Sequence, residues 1–224
     1  MAHTGHLGRA AWEATMPTAR ESLLDAAYAA LAVRPWAGVR MVDVAAEAGV
    51  SRQTLYNEFG SKEGLARALV RRETEGYLAG VSRALEEPGP TAGGGVEARV
   101  VAAAAWTVRA ARTNPLIRAA LTGCWNERLP TPAGGIPGQR GARSGGVGAH
   151  ADGPPPGPTE LVGRFCDRAM AALEADWPKE DLPELGTACA TAARLTLSYV
   201  VAPAEPEDLT RQLHNAFAHA AHRP

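Results

Sequence analysis

Apolar residues recur at spacings of three and four along most of the chain, which is the period of helices with one buried face. Thr18 and Glu21 have the spacing of a capping box and mark the start of the first helix, which ends before Pro35. Ser51 and Ser61 are caps for two later helices. The pattern predicts helices at about residues 18–34, 41–48, 51–59, 62–87, 96–112, 116–125, 159–176, 183–201 and 206–222.

Stretches rich in proline and glycine interrupt this pattern. Residues 88–95 form the first break. Residues 130–158 hold 7 prolines and 9 glycines with almost no large apolar group, so we expect a disordered loop that cannot bury enough surface to fold. Residues 1–16 are expected to be a disordered tail, and Met1 and Met16 are both candidate translation starts.

Composition narrows the class of protein. An apolar content of 46% with only 5% aromatic residues and many alanines favours an all-α fold. Three widely spaced cysteines without a CxxC pair favour reduced thiols in a cytoplasmic protein over disulfides or a zinc site. No uninterrupted apolar run is long enough to span a membrane, and the N-terminus lacks the apolar region of a signal peptide.

The stretch with the most chemical information is residues 42–62, VDVAAEAGVSRQTLYNEFGSK. Small Ala45 allows two helices to approach, Gly49 makes a turn between them, and apolar Val44, Val50 and Leu55 fill the space. The second of these helices then presents a run of polar residues outward. This pattern predicts a helix-turn-helix at about 40–59 whose second helix enters the major groove of DNA. The alternative is a plain helical hairpin with a solvated face.

The segment AAEAGVSRQTLYNEFGSKEGL resembles the DNA-binding core of the tetracycline-repressor (TetR) family of bacterial regulators. The resemblance covers residues 17–77. It implies a three-helix DNA-binding domain joined by a long helix to a helical ligand-binding and dimerisation domain at 78–224. Two positions depart from the family pattern: Arg40-Met41 stands where a threonine is usual, and Gly64 lies in the first turn of the fourth helix.

The resemblance implies that Tyr56 and Lys62 hold the DNA backbone. Arg40 stands where the chain departs from the family pattern and is a further candidate for a phosphate contact. Arg52 and Gln53 have the chemistry for paired contacts to guanine and adenine. The further candidates for base or phosphate contacts are Ser51, Thr54 and Asn57. The whole chain has a net charge of −1, and residues 17–77 contain 8 basic and 8 acidic side chains, so affinity must depend on where the charges lie.

The later helices are the expected sensor and dimer interface. Two helices carry apolar stripes, which pair with a second subunit in one interpretation and pack inside one chain in the other. These stripes are Leu185, Cys189, Ala192, Leu195 and Tyr199, and Leu209, Leu213, Ala216, Phe217 and Ala220. The candidate effector pocket is lined by Trp106, Trp125, Phe165 and Met170, with Arg109, Arg112 and Arg118 as partners for an anion. Ordinary packing or solvent exposure is the alternative at each position.

The expected protein is a homodimeric transcriptional regulator, a repressor that binds a palindromic DNA operator and is released by a hydrophobic or amphipathic small molecule. A TetR-like activator and a helical small-molecule-binding dimer without DNA binding are the alternatives. No catalytic grouping or metal-ligand spacing occurs, since His214 and His219 are five residues apart and off one helix face. We therefore expect neither enzyme activity nor a cofactor or metal, and no membrane partner.

Overall fold

The computed structural model describes residues 18–87, 95–131 and 154–220. This part of the chain forms nine α-helices and contains no β-strand, which confirms the all-α class. The helices are α1 (Ala19–Val33), α2 (Met41–Glu47), α3 (Arg52–Phe59), α4 (Lys62–Glu86), α5 (Val96–Thr113), α6 (Pro115–Thr122), α7 (Pro158–Leu173), α8 (Leu182–Val201) and α9 (Pro206–Ala220). Short 3-10 turns lie at Trp36–Gly38, Glu174–Asp176 and Lys179–Asp181.

The chain divides into two compact units. The first unit comprises Met1–Leu69 and Glu127–Pro154, and the second comprises Val70–Asn126 and Pro155–Pro224. Helix α4 continues through the division, which lies eight residues before the boundary predicted at 77. The tail predicted at 1–16 and most of the loop predicted at 130–158 lie outside the described residues.

Side-chain caps begin several helices where the sequence predicts them. The Thr18 hydroxyl accepts a hydrogen bond from the Glu21 amide at 3.2 Å, which confirms the start of α1. Asn114 caps α6, because its Oδ1 accepts from the amides of Leu116 and Ile117 at 2.9 and 3.3 Å. The side-chain amide of the same Asn114 donates to Glu73 Oε2 at 2.7 Å, so the start of α6 is tied to α4.

The predicted extent of α6 was too long. The helix ends at Thr122 because Gly123 adopts a left-handed conformation with φ of 72°, which glycine accepts without a steric penalty. Trp125, which the sequence pattern placed on this helix, lies beyond it and is half-buried.

The apolar stripes of the last two helices are part of the chain's own core. Leu185, Cys189, Ala192 and Leu213 have no exposed surface, and Phe217 is 3% exposed. They are buried because α8 packs against α5, α7 and α9 of the same chain. The interpretation in which these stripes form the face between two subunits is therefore wrong for these residues.

Arg99 on α5 joins three elements of the second unit. Its guanidinium donates to the carbonyl of Leu85 at 2.5 Å, to the carbonyl of Ala172 at 2.7 Å and to the carboxylate of Asp176 at 2.7 Å. The two carbonyls lie in the last turns of α4 and α7, where backbone acceptors lack helical partners. This single side chain therefore satisfies two helix ends and carries an ion pair.

The three cysteines are free and differ in exposure: Cys124 is exposed, Cys166 is half-buried and Cys189 is buried. Burial raises the pKa of the Cys189 thiol to about 12, so this thiol is neutral at physiological pH. Within the described ranges, no helix combines the length and the hydropathy needed to cross a bilayer.

Candidate nucleic-acid interface

Helices α2 and α3 are joined by a tight turn at Ala48, Gly49 and Val50. Gly49 has φ of 67°, a conformation that favours glycine over any residue with a Cβ. The Val50 amide donates to the carbonyl of Ala45 at 3.0 Å and closes the turn. The glycine turn predicted between the two helices is confirmed.

Ser51 begins α3 as predicted. Its hydroxyl oxygen accepts a hydrogen bond from the Thr54 amide at 3.0 Å and lies 2.8 Å from the Thr54 hydroxyl. A capping hydroxyl of this kind stabilises a helix by about 1 kcal/mol. Both hydroxyls therefore have an internal structural role at the start of α3.

A small apolar core fixes the orientation of α3 in the first unit. Leu55 has no exposed surface, Val44 and Ala45 are 2% and 1% exposed, and Phe59 is 9% exposed. Leu23 and Leu24 of α1 are buried with them, since α1 packs against both α2 and α3. Because Leu55 and Phe59 face inward, the intervening positions of α3 face solvent.

The outer face of α3 carries the predicted DNA-contacting side chains. Arg52, Gln53, Tyr56 and Asn57 are exposed, and Tyr56 keeps 42% of its surface accessible. The Gln53 side-chain amide donates to Asn57 Oδ1 at 2.8 Å, so two amide side chains form a pair one helical turn apart. This face therefore offers several hydrogen-bond donors and acceptors to a partner.

Lys62, the first residue of α4, has internal contacts in the first unit. Its Nζ donates to the carbonyl of Ala37 at 3.2 Å and lies 5.4 Å from the centre of the Trp36 ring, within range of a cation–π interaction. Desolvation by partial burial lowers the pKa of Lys62 from its usual value. The ammonium has three donors, so it can hold Ala37 and still bind a phosphate.

Arg40 precedes α2 and its side chain is 75% exposed. Its Nε donates to Asp43 Oδ2 at 3.3 Å, and Arg34 donates to the same oxygen at 3.2 Å. Arg40 makes no side-chain cap to α2, so it does not replace the capping hydroxyl that the family pattern carries there. Its exposed guanidinium lies on the protein surface next to the helix-turn-helix.

The structure explains the glycine at position 64. A Cβ on Gly64 would lie 1.9 Å from the carbonyl oxygen of Phe59, the last residue of α3. The absence of a side chain allows the end of α3 to approach the first turn of α4 closely. The Gly64 amide also donates to the Ser61 hydroxyl at 3.1 Å.

Two supporting residues were missed by the sequence analysis. Arg20 of α1 lies over the Phe59 ring at 4.8 Å and pairs with Glu58 at 3.7 Å, which links α1 to the end of α3. Trp36 is buried and provides the aromatic surface for Lys62. The only sequence signal for Trp36 was an aromatic residue in a short connection.

The residues suggested for an effector pocket lie in different surroundings. Phe165 lines a cavity of about 10 Å³ in the second unit. Trp106 instead packs against Gly80 and donates to the carbonyl of Tyr77 at 3.1 Å, and Met170 lies near Gly186. Arg109 and the other two candidate anion partners, Arg112 and Arg118, are exposed, and Trp125 is half-buried. None of these except Phe165 lines the cavity.

The first unit as a whole has two helices around a positive-φ glycine, a buried three-helix core and an outward polar face on the second helix. These features define a helix-turn-helix domain. Residues 23–69 match the family model for bacterial regulatory proteins of the tetR family. The helix-turn-helix unit of this chain is thus similar to the bacterial regulatory proteins of the tetR family.

A curated relative extends this likeness slightly. The HTH-type transcriptional regulator AlkX of Mycobacterium tuberculosis (strain ATCC 25618 / H37Rv) is 42% identical over 74 residues. The match covers 33% of this chain and 35% of the relative, so the chain spans about a third of that protein's length in the alignment.

Solved structures show a similar fold over most of the chain. The TetR family repressor AlkX from Dietzia sp. strain DQ12-45-1b, described as implicated in biodegradation of n-alkanes, has a TM-score of 0.50 at 22% identity over 89% of this chain and 96% of its own. A tetR-family transcriptional regulator from Streptomyces coelicolor has a TM-score of 0.52 at 18% identity over 92% of this chain and 84% of its own. At these identities the likeness concerns the fold.

Proposed function

We propose that this protein is a cytoplasmic transcriptional regulator that binds double-stranded DNA through the outer face of α3. The observation that carries the proposal is the exposed row of Arg52, Gln53, Tyr56 and Asn57 on a helix whose opposite side is buried. The family match at 23–69 supports it. The protein then acts by occupying DNA and not as an enzyme.

In this proposal different side chains have different tasks. Tyr56, Lys62 and Arg40 hold phosphates, and they contribute affinity for any sequence. Gln53 and Asn57, as amides, read base edges, and Arg52 is suited to guanine. Ser51 and Thr54 stabilise the first turn of α3, which faces the DNA backbone in this proposal.

The test is DNA selection followed by a binding titration. The full-length protein is incubated with a library of genomic fragments, and the affinity for the enriched fragment is measured over a range of salt concentrations. We expect enrichment of one roughly palindromic site and a steep fall in affinity with salt, because several phosphates are neutralised. Failure to enrich any fragment would favour the alternative of a helical binding protein without DNA activity.

Repression, release by an effector and dimerisation are further parts of the proposal. A dimer places two α3 helices in successive major grooves, about 34 Å apart, which matches a two-fold operator. A small hydrophobic or amphipathic molecule that binds the DNA-free form more tightly than the DNA-bound form would release the protein from DNA. The sign of regulation is tested by transcription from the enriched site with and without the protein, since an activator would raise it.

The exposed face of α8 is the dimer surface in this proposal, since the apolar stripe of that helix is buried. Thr187, Thr191, Arg194 and Ser198 are exposed and recur at helical spacing. Thr187 and Thr191 donate to carbonyls of their own helix at 3.0 and 2.8 Å, so their methyl groups are available for packing. Sedimentation equilibrium should give a dimer, and Thr191→Glu should shift it toward monomer. An unchanged dimer in this variant would exclude this face.

A further inference from the structure

The second unit contains three hydroxyl side chains around one small cavity in an otherwise apolar core. Tyr77 of α4, Thr107 of α5 and Thr196 of α8 line this cavity of about 10 Å³. Thr107 and Thr196 are 2% and 1% exposed, and Tyr77 is 4% exposed. Polar groups in a core are costly unless they are hydrogen-bonded, so the way these hydroxyls are satisfied is informative.

Each of the three hydroxyl groups donates its hydrogen to an acceptor within the protein. Thr107 donates to the carbonyl of Ala103 at 2.9 Å, and Thr196 donates to the carbonyl of Ala192 at 2.7 Å. Tyr77 lies 3.2 Å from the Thr107 oxygen and must be the donor there, because the single hydrogen of Thr107 is already engaged. The remaining hydrogen-bonding capacity of this cavity consists of oxygen lone pairs.

The cavity therefore offers acceptors and no charge. All residues that line it are neutral, and burial raises the pKa of Tyr77 to about 12, so its hydroxyl stays protonated. A ligand with one hydrogen to donate could share it between the spare lone pairs of Tyr77 and Thr196. A carboxylate would bring lone pairs against lone pairs and leave a buried charge, which costs several kcal/mol.

The cavity has about the size of a hydroxyl group, and the hydrocarbon chain of a ligand would have to enter past the apolar side chains at its border. A volume of about 10 Å³ accommodates one water-sized group. Half-buried Val162 of α7 and Leu197 of α8 line the same cavity. Displacement of these two apolar side chains would open it between α7 and α8 without exposing a charge.

We propose that this cavity recognises a neutral alcohol, whose single hydroxyl hydrogen is shared between the oxygens of Tyr77 and Thr196 in a three-centre hydrogen bond while its hydrocarbon chain packs against Leu197 and Phe165. As an assignment of the effector class, this rests on the regulatory function proposed above. The binding site itself is measurable without DNA.

Three probes of equal chain length test the assignment on the full-length protein: octan-1-ol, octane and octanoate at pH 7. Binding is measured by isothermal titration and by the shift in melting temperature. We expect octan-1-ol to bind at least tenfold more tightly than octane or octanoate. Equal binding of all three would show a nonspecific apolar site, and tighter binding of octanoate would show a role for the nearby Arg168; either result overturns the proposal.

A matched pair of threonine substitutions tests the residues. Thr196→Val removes a hydroxyl at the cavity and keeps the side-chain volume, whereas Thr113→Val on α5 removes an exposed hydroxyl that also donates to the carbonyl four residues earlier in its helix. We expect Thr196→Val to weaken octan-1-ol binding about fivefold to tenfold and to leave octane unchanged, since one hydrogen bond is lost. Thr113→Val should change the binding of neither probe. Tyr77→Phe is the second cavity variant and should act like Thr196→Val; no effect of either cavity variant on octan-1-ol overturns the proposal.

The DNA titration separates this inference from the proposed function. If the protein binds no DNA, the regulatory proposal fails while selective alcohol binding still supports the site. If it binds DNA and octan-1-ol but the alcohol leaves DNA affinity unchanged, the effector assignment is overturned. Release of DNA by octan-1-ol in the wild type, weakened in Thr196→Val, supports both.

Discussion

The substitution Gly64→Ala examines how closely α3 and α4 must approach. Gly64 is the third residue of α4 and is buried, and a Cβ there would lie 1.9 Å from a backbone oxygen of Phe59. In an open helix alanine is favoured over glycine by about 1 kcal/mol. Here the overlap involves backbone, so α3 or α4 must move.

The gain in helix propensity stabilises the variant and the steric overlap destabilises it, and we expect the overlap to have the larger effect. Overpacking of a core costs about 1–3 kcal/mol, and the overlap at Gly64 is severe enough for the upper part of that range. Subtracting the helix-propensity gain leaves a net loss of about 1–2 kcal/mol, or a fall of about 2–8 °C in melting temperature. DNA affinity should fall as well, because Phe59 ends the helix whose outer face we propose to bind DNA.

Gly76→Ala is the matched control on the same helix. Gly76 is exposed and a Cβ there would meet nothing within 4 Å. This variant should gain about 1 kcal/mol, or about 2–4 °C, with unchanged DNA affinity. Circular dichroism melts of the two variants and the wild type provide the comparison. If Gly64→Ala is stabilised to the same extent as Gly76→Ala, the close approach of α3 and α4 is not a constraint and the reasoning fails.

Other features of the fold make further predictions. Arg99→Met should lower the free energy of unfolding by about 3 kcal/mol, because two helix-end carbonyls and Asp176 lose a charged donor; a urea midpoint equal to that of the wild type would contradict this role. Iodoacetamide at pH 8 should label exposed Cys124 first and leave buried Cys189 unmodified until the protein is unfolded, as read by mass spectrometry; early labelling of Cys189 would show that its surroundings open. Burial raises the pKa of Tyr77 in the folded state from its usual value near 10 to about 12. The stability that its protonated hydroxyl contributes should therefore be lost as pH rises from about 10 to about 12, and the Tyr77→Phe variant should lose correspondingly less stability over that range.

The local features of the helix-turn-helix unit could be predicted because short-range chemistry determines them. The hydroxyl of Ser51, the turn at Gly49 and the buried Leu55 each act within a few residues, and all were found where the sequence indicated. The reason for glycine at position 64 could not be predicted, because it depends on the distance to the carbonyl of Phe59. That contact depends on the path of two helices, which periodicity does not encode.

Longer-range packing was less predictable. The stripe of α8 through Leu185 and Cys189 has the same pattern whether its partner is a second subunit or the same chain. Only the position of α5, α7 and α9 shows that the partner is the chain's own core. Among the residues suggested for a pocket, Phe165 does line the cavity of the second unit. Thr107 and Thr196 line it as well, but nothing in the sequence distinguishes these threonines from ordinary helix residues.

The central claim is that the outer face of α3 binds DNA, and a fluorescence anisotropy titration of the enriched fragment tests it most directly. The measurement compares wild type with the variant Gln53→Ala/Asn57→Ala, and uses Ala29→Ser on the exposed side of α1 as a control. Each amide contact to a base is worth about 1–3 kcal/mol, so the double variant should bind at least about 10-fold more weakly, with an unchanged melting temperature, and Ala29→Ser should bind as the wild type does. Wild-type affinity in the double variant would contradict the assignment of this face as the DNA reader.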